Sequence, residues 1–189
     1  MEFLSERVSV DRREDVLSIV ISPRLSRGNE ALLLAWVLAW TFCGAYVIYA
    51  LFHMPPGQER SFTLAFMAFW TYFEIRMVRV LLWRTKGFEK WRLKDGRLTI
   101  KDEILGYGRA NDHFVENIQK LGLIDIDLTS WKWQLNDSFW VMGGERLGFE
   151  HLGKKVVFGK GLTDEEAKRV LLTLQEALKK ARKQAAAQP

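Results

Sequence analysis

Residues Ala31 to Phe52 (ALLLAWVLAWTFCGAYVIYALF) carry no charged side chain. As a helix rising roughly 1.5 Å per residue, a stretch of this length reaches across a hydrocarbon core about 30 Å thick. A core helix of a soluble protein keeps a polar stripe on one side. Here only Thr41, Cys43, Tyr46 and Tyr49 break an apolar surface that runs all the way round. A cleaved signal peptide also fits poorly, because polar, strand-like sequence precedes the stretch and a second apolar stretch, Phe62–Trp83, follows it. The pattern predicts a membrane hairpin over residues 29–85, with spans at about 31–52 and 62–83.

Charge sets the expected orientation. The chain has 189 residues and a net charge of +5. Arg7, Arg12, Arg13, Arg24 and Arg27 precede the first span, and Arg84, Lys86, Lys90 and Arg92 follow the second. The loop His53–Ser61 holds only Arg60 beside Glu59, with Pro55, Pro56 and Gly57 supplying the reversal. The positive-inside rule then predicts cytoplasmic termini and an outward loop, so the basicity reflects topology and calls for no nucleic acid. Cys43 is the sole cysteine and lies inside the first span, which excludes an intrachain disulfide framework or a cysteine-based metal site.

Outside the spans the punctuation is that of short strands. Phe3–Val10 and Val16–Ser22 read as two strands joined by the charged turn Asp11–Asp15 and closed by Pro23. An isolated pair is marginal in water, so residues 1–28 are expected to join the strands beyond the spans. There, Trp91–Lys94 and Arg97–Lys101 flank Asp95-Gly96, the pair a two-residue type I′ turn requires. A second hairpin or bulge surrounds Gly106 and Gly108. Gly122–Leu128, Phe139–Met142, Arg146–His151 and Lys154–Phe158 are predicted as further strands.

The chain closes with an amphipathic helix. Thr163 and Glu166 form a capping box, and Ala167, Val170, Leu171, Leu174, Leu178 and Ala181 share one face. Residues 185–189 are expected to form a frayed tail. The predicted class is thus a membrane α-helical hairpin plus an α+β soluble domain over 86–184, an antiparallel β-sandwich or partly open barrel closed by one C-terminal helix.

The segments VLSIVISPR, KWRLKDGRLTIKDEILGYGR and KKVVFGKGLTDEEAKRVLLTLQEAL resemble those of bacterial membrane proteins that pair a transmembrane hairpin with a pleckstrin-homology-like domain. The resemblance implies an adaptor fold, some members of which bind phosphoinositides, and it brings no catalytic residues. Fold analogy does not choose among these roles.

Few residues suggest chemistry. Glu74, Arg76 and Arg79 lie in the second span, where ionisable groups are functional candidates. The arginines are near enough to the cytoplasmic end to snorkel, whereas Glu74 sits midway and calls for a structural or partner-borne mate. His53, His113 and His151 show no ligand spacing, so no metal or other cofactor is expected. Gly159-Lys160-Gly161 precedes a helix but lacks the further positions of a phosphate loop, and reads as a turn. Eight tryptophans are unusual. Trp131, Trp133 and Trp140 either pack the sheet or dock against headgroups or another protein, with Trp131 and Trp133 on one face if that segment is extended.

Two functions follow as expectations. One is a non-enzymatic scaffold or accessory subunit of a bacterial inner-membrane complex, engaging a membrane-protein partner through Glu74, Trp131, Trp133 and Trp140. The alternative is an anionic lipid-headgroup sensor using Arg84, Lys86, Lys90, Arg92 and Lys132 against membrane lipids.

Overall fold

The computed structural model describes residues 2–13, 15–125 and 129–187. Short strands come first: β1 (Glu2–Phe3), β2 (Val8–Arg13) and β3 (Val16–Ile21). The expected strand Phe3–Val10 is therefore interrupted. The Ser5 hydroxyl accepts from the backbone N–H of Arg7 and of Val8, and this local turn takes those groups from a sheet ladder. Strand β2 instead continues through the charged residues to Arg13, paired along its length with β3.

Two long helices follow, α1 (Arg27–His53) and α2 (Gln58–Lys86), each extending several residues past the apolar stretch that signals it. Ser26 caps α1 by accepting from Asn29 N–H, and Met54–Gly57 connects the pair. Among the described residues α1 is the one helix long and apolar enough to cross a bilayer. Helix α2 carries Glu59, Arg60, Glu74, Arg76, Arg79, Arg84 and Lys86, which lower its hydropathy. Contacts at Met54–Thr63, Gly44–Trp70 and Thr41–Glu74 lay the helices side by side in opposite directions.

Strand β4 (Gly87–Lys94) begins where α2 ends, and pairs antiparallel with β3 from Ile21↔Glu89 to Val16↔Lys94. The helices are thus inserted between two neighbouring strands of one sheet. β5 (Arg97–Ile104) and β6 (Ala110–Phe114) complete the order β1-β2-β3-β4-β5-β6. Asp95 and Gly96 both hold positive φ, 48° and 67°, as a type I′ turn demands. A short 3-10 turn, Val115–Asn117, leads to a second antiparallel sheet of β7 (Ile118–Leu123), β8 (Glu145–His151) and β9 (Lys154–Lys160). Between β7 and β8 lies α3 (Trp131–Asn136). The fold is mixed α+β: two antiparallel sheets and the C-terminal helix α4 (Asp164–Ala187).

Apolar side chains from both sheets and α4 form one core, including Val10, Ile19, Trp91, Leu98, Leu147, Phe158, Val170 and Leu174. The capping box is made as expected: Glu166 N–H donates to Thr163 Oγ1, and Thr163 N–H donates to the Glu166 carboxylate. That carboxylate also accepts from Ser5 and Arg7, tying the β1–β2 turn to α4. Burial alone would raise its pKa. The hydrogen bonds from Thr163 and Ser5 and the Arg7 charge outweigh burial and hold it below the ordinary glutamate value.

Four points come out differently from the sequence reading, the first of them an extended form that was only a condition. The segment 131–136 is helical rather than extended, and 139–142 is turn rather than strand. Trp131-Lys132-Trp133 alternates like a strand, yet Trp131 and Leu135 stand at i,i+4 and equally suit one helical turn. β7 starts at Ile118 and ends at Leu123, and Ile126–Leu128 lie outside the described residues. Finally, α4 continues to Ala187 in place of a tail from residue 185, consistent with the high helix propensity of alanine; Gln188 and Pro189 lie outside the described residues.

Candidate interaction site

The polar chemistry gathers where α2 hands over to the sheet. Glycine at position 87 is required by space: a Cβ there would lie 2.4 Å from the Trp83 carbonyl oxygen and 2.6 Å from its indole. The tight junction seals Trp83 at 0% exposure and Arg84 at 6%. Arg84 Nη2 donates to the carbonyls of Ser138 (3.2 Å) and Val141 (2.8 Å), pinning the loop after α3 to the foot of α2. Its guanidinium lies 5.0 Å from the Trp83 ring centroid. Burial lowers the Arg84 pKa, Asp137 opposes that, and the nearby Arg7 charge adds to it.

β4 alternates inward and outward, with Gly87, Glu89, Trp91 and Leu93 facing in. Glu89 thus occupies a core position, and it is 1% exposed. Its carboxylate accepts from Trp91 Nε1 (3.0 Å), Gly159 N (2.9 Å) and Lys160 N (2.7 Å), so a side chain of the first sheet holds the backbone of the second. Within Gly159-Lys160-Gly161, read from sequence as a turn, the first two N–H groups hold this carboxylate and the third donates to the Gly144 carbonyl. Burial raises the Glu89 pKa, against the two backbone hydrogen bonds and the Lys160 charge. Lys160 itself pairs with Asp102 and lies 5.8 Å from the Trp83 ring.

The cations expected to meet lipid divide into two groups. Arg84 is not a surface charge, because the fold encloses it and spends Nη2 on loop carbonyls. Lys90 is ion-paired with Glu103 at 2.7 Å, and Lys101 pairs with the same carboxylate, which these bonds hold below the ordinary glutamate value. Lys86, Arg92 and Lys132 are exposed. They do not form one patch with Arg84.

The expected partner residues are likewise distributed. Trp140 stands edge-on to Trp36 of α1 at 5.8 Å, so the loop after α3 touches both helices. Trp133 lies under the Arg146 guanidinium at 4.9 Å. Trp131 is 65% exposed and Leu135 57%, giving α3 one uncovered apolar face. Glu74 accepts from Thr41 Oγ1 at 2.6 Å across the helix pair, while its second oxygen is buried and has no hydrogen-bond partner among the described residues. Arg76, expected to snorkel toward the end at Arg84, turns back to Tyr72 OH at 3.0 Å, since helical side chains lean toward the N-terminus.

Sequence spacing missed a histidine pair. His113 on β6 and His151 on β8 stand edge to face at 4.8 Å, and burial, then the His151 charge, lowers the His113 pKa. Among the described residues no group of three His, Cys, Asp or Glu side chains could hold a metal ion. The chain matches no family model and no curated protein.

Proposed function

We propose that this chain is a membrane-anchored, non-enzymatic interaction module. In this reading α1 and α2 lie as a hairpin in a bacterial inner membrane. The pleckstrin-homology-like lobe sits on the cytoplasmic face and serves as a scaffold or accessory subunit of a membrane complex. The observation that carries the proposal is the uncovered apolar circumference of the helices: Phe42 is 72% exposed, Phe62 75% and Ile75 63%. In water such a surface would be an association liability, whereas in lipid it needs no cover. The β3–β4 pairing supports the same reading, since it returns both helix ends to one lobe and leaves the Met54–Gly57 connection at the far end. Anchoring would raise the local concentration of the lobe near membrane-bound partners.

Two features suit a partner. The free Glu74 oxygen lies within the helix pair, and the Trp131–Leu135 face lies beside its foot. Purification of the full chain in mild detergent is expected to retain a membrane protein, and Glu74→Ala or Trp131→Ala to reduce that recovery at least severalfold. Trp131 is the better probe than Trp133, whose ring is engaged by Arg146. Repeated isolation of the chain alone, under conditions that preserve other complexes, would count against a scaffold.

A further inference from the structure

We infer that the cleft at the amino end of α1 is a binding site for a phosphate group. The cleft encloses about 740 Å³ between the β1–β2 turn, the segment leading into α1 and the foot of α2. Four arginines line it, Arg7, Arg24, Arg27 and Arg84, against the two glutamates Glu6 and Glu30. Of these arginines, Arg24 and Arg27 are exposed and make no ion pair among the described residues. Arg7 is shared with Glu166 at 2.9 Å, which leaves part of its fork open.

Arg84 is the stronger sign. It is 6% exposed, its Nη2 is used by loop carbonyls, and its Nε has no hydrogen-bond partner among the described residues. A buried guanidinium donor is costly to leave unpaired, and Arg84 is among the residues lining the cleft, so an anion held there would lie beside its uncompensated charge. The start of α1 adds to this. Ser26 caps only one first-turn N–H, and the remaining amides carry the positive end of a 27-residue helix. Planar arginine forks and helix-end amides together match the tetrahedral oxygens of a phosphate, which accept several hydrogen bonds at once. A carboxylate presents two oxygens and would leave part of this set unused.

The phosphate chemistry stands on the cleft alone. Its source, a lipid headgroup or a soluble phosphate, is separate, and the lipid assignment rests on the membrane reading above. The test titrates the full chain, in an uncharged detergent at constant ionic strength, with inorganic phosphate, short-chain phosphatidylglycerol or short-chain phosphatidylcholine. The unfolding midpoint is followed, since a ligand bound only by the native state raises it saturably. Phosphatidylglycerol or inorganic phosphate is expected to raise the midpoint, and Arg24→Gln/Arg27→Gln to weaken that binding at least about tenfold, the loss of one charge-assisted contact. Arg92→Gln/Lys132→Gln, outside the cleft, should bind as the parent does.

A response to phosphatidylglycerol far exceeding that to inorganic phosphate assigns the site to lipid, and equal responses assign it to a soluble phosphate. Both support the site. An unchanged affinity in Arg24→Gln/Arg27→Gln, or no saturable response to either anion, overturns it. Because inorganic phosphate is read without lipid, this failure is distinct from failure of the membrane reading.

Discussion

Glu89→Ala is expected to destabilise the chain by about 3 kcal/mol or more, since it strands three hydrogen-bond donors and each buried group left unsatisfied costs about 1–3 kcal/mol. The cost arises from what remains. Trp91 Nε1–H and the backbone N–H groups of Gly159 and Lys160 would be left without their acceptor. The two sheets would lose the polar pin that complements the Trp91–Phe158 ring contact at 4.7 Å. Glu89→Gln keeps one acceptor oxygen and is expected to cost less, about 1–2 kcal/mol. Unfolding of the detergent-solubilised chain, followed by circular dichroism, reads both. A change within about 0.5 kcal/mol, typical of surface positions, would mean that the carboxylate holds nothing.

The same residue carries a pH signature. Burial raises its pKa in the folded chain. Between the ordinary glutamate value and that raised value, the folded chain keeps a proton that the unfolded chain has released. Glu89 therefore makes stability fall as pH rises through this window. Glu166 and Glu103, whose pKa values are lowered on folding, contribute the opposite slope below the ordinary value. The diagnostic is therefore the difference between parent and Glu89→Gln, which should shrink as pH rises through the window. A difference that is flat with pH would show that Glu89 titrates alike folded and unfolded.

The second large effect is expected inside the helix pair. A Cβ at position 44 would lie 2.0 Å from Trp70 Cζ2 and 2.3 Å from Cη2, so Gly44→Ala must displace a ring that is 8% exposed. Overpacking of this kind costs about 1–3 kcal/mol. It should also part Thr41 from Glu74 one turn away. Trp70→Leu alone opens a void, but with Gly44→Ala it leaves room for the new methyl. The double variant is then expected to lose less than the sum of the singles when unfolding is measured in mixed micelles. Strict additivity would show that the two positions do not meet.

What the sequence made legible was local. The Asp95-Gly96 turn, the Thr163–Glu166 box and the apolar face of α4 each depend on residues within a few positions of one another, and each is present. The uncharged stretch at Ala31–Phe52 announces α1 because helix length alone decides it. The site depended on distant residues and was missed. Glu89 lay outside the expected strand, which was begun at Trp91; extending the alternation two residues back would have put a carboxylate in the core. Its acceptors' donors, at 159 and 160, are seventy positions on and leave no local trace. Arg84 read as a headgroup contact because its place after an apolar run is the usual one, and only the loop at 138–141 encloses it. At 131–136 two periodicities fit six residues equally, and the one tertiary ring contact of this segment among the described residues, Arg146 over Trp133, comes from a residue ten or more positions away.

Cys43 offers the most direct test of the central claim, that α1 and α2 lie in a bilayer with the sheets on its inner side. Its side chain is exposed on α1, so in water it would be open to reagents. In intact cells and in opened membranes alike, a water-soluble maleimide is expected to leave Cys43 unlabelled until the membrane is dissolved in denaturing detergent. In a Cys43→Ser background, Gln58→Cys should label from outside, and Lys154→Cys, at the exposed β8–β9 turn, only after the membrane is opened. Rapid labelling of Cys43 in intact or opened membranes, or labelling of Lys154→Cys from outside intact cells, would contradict the account.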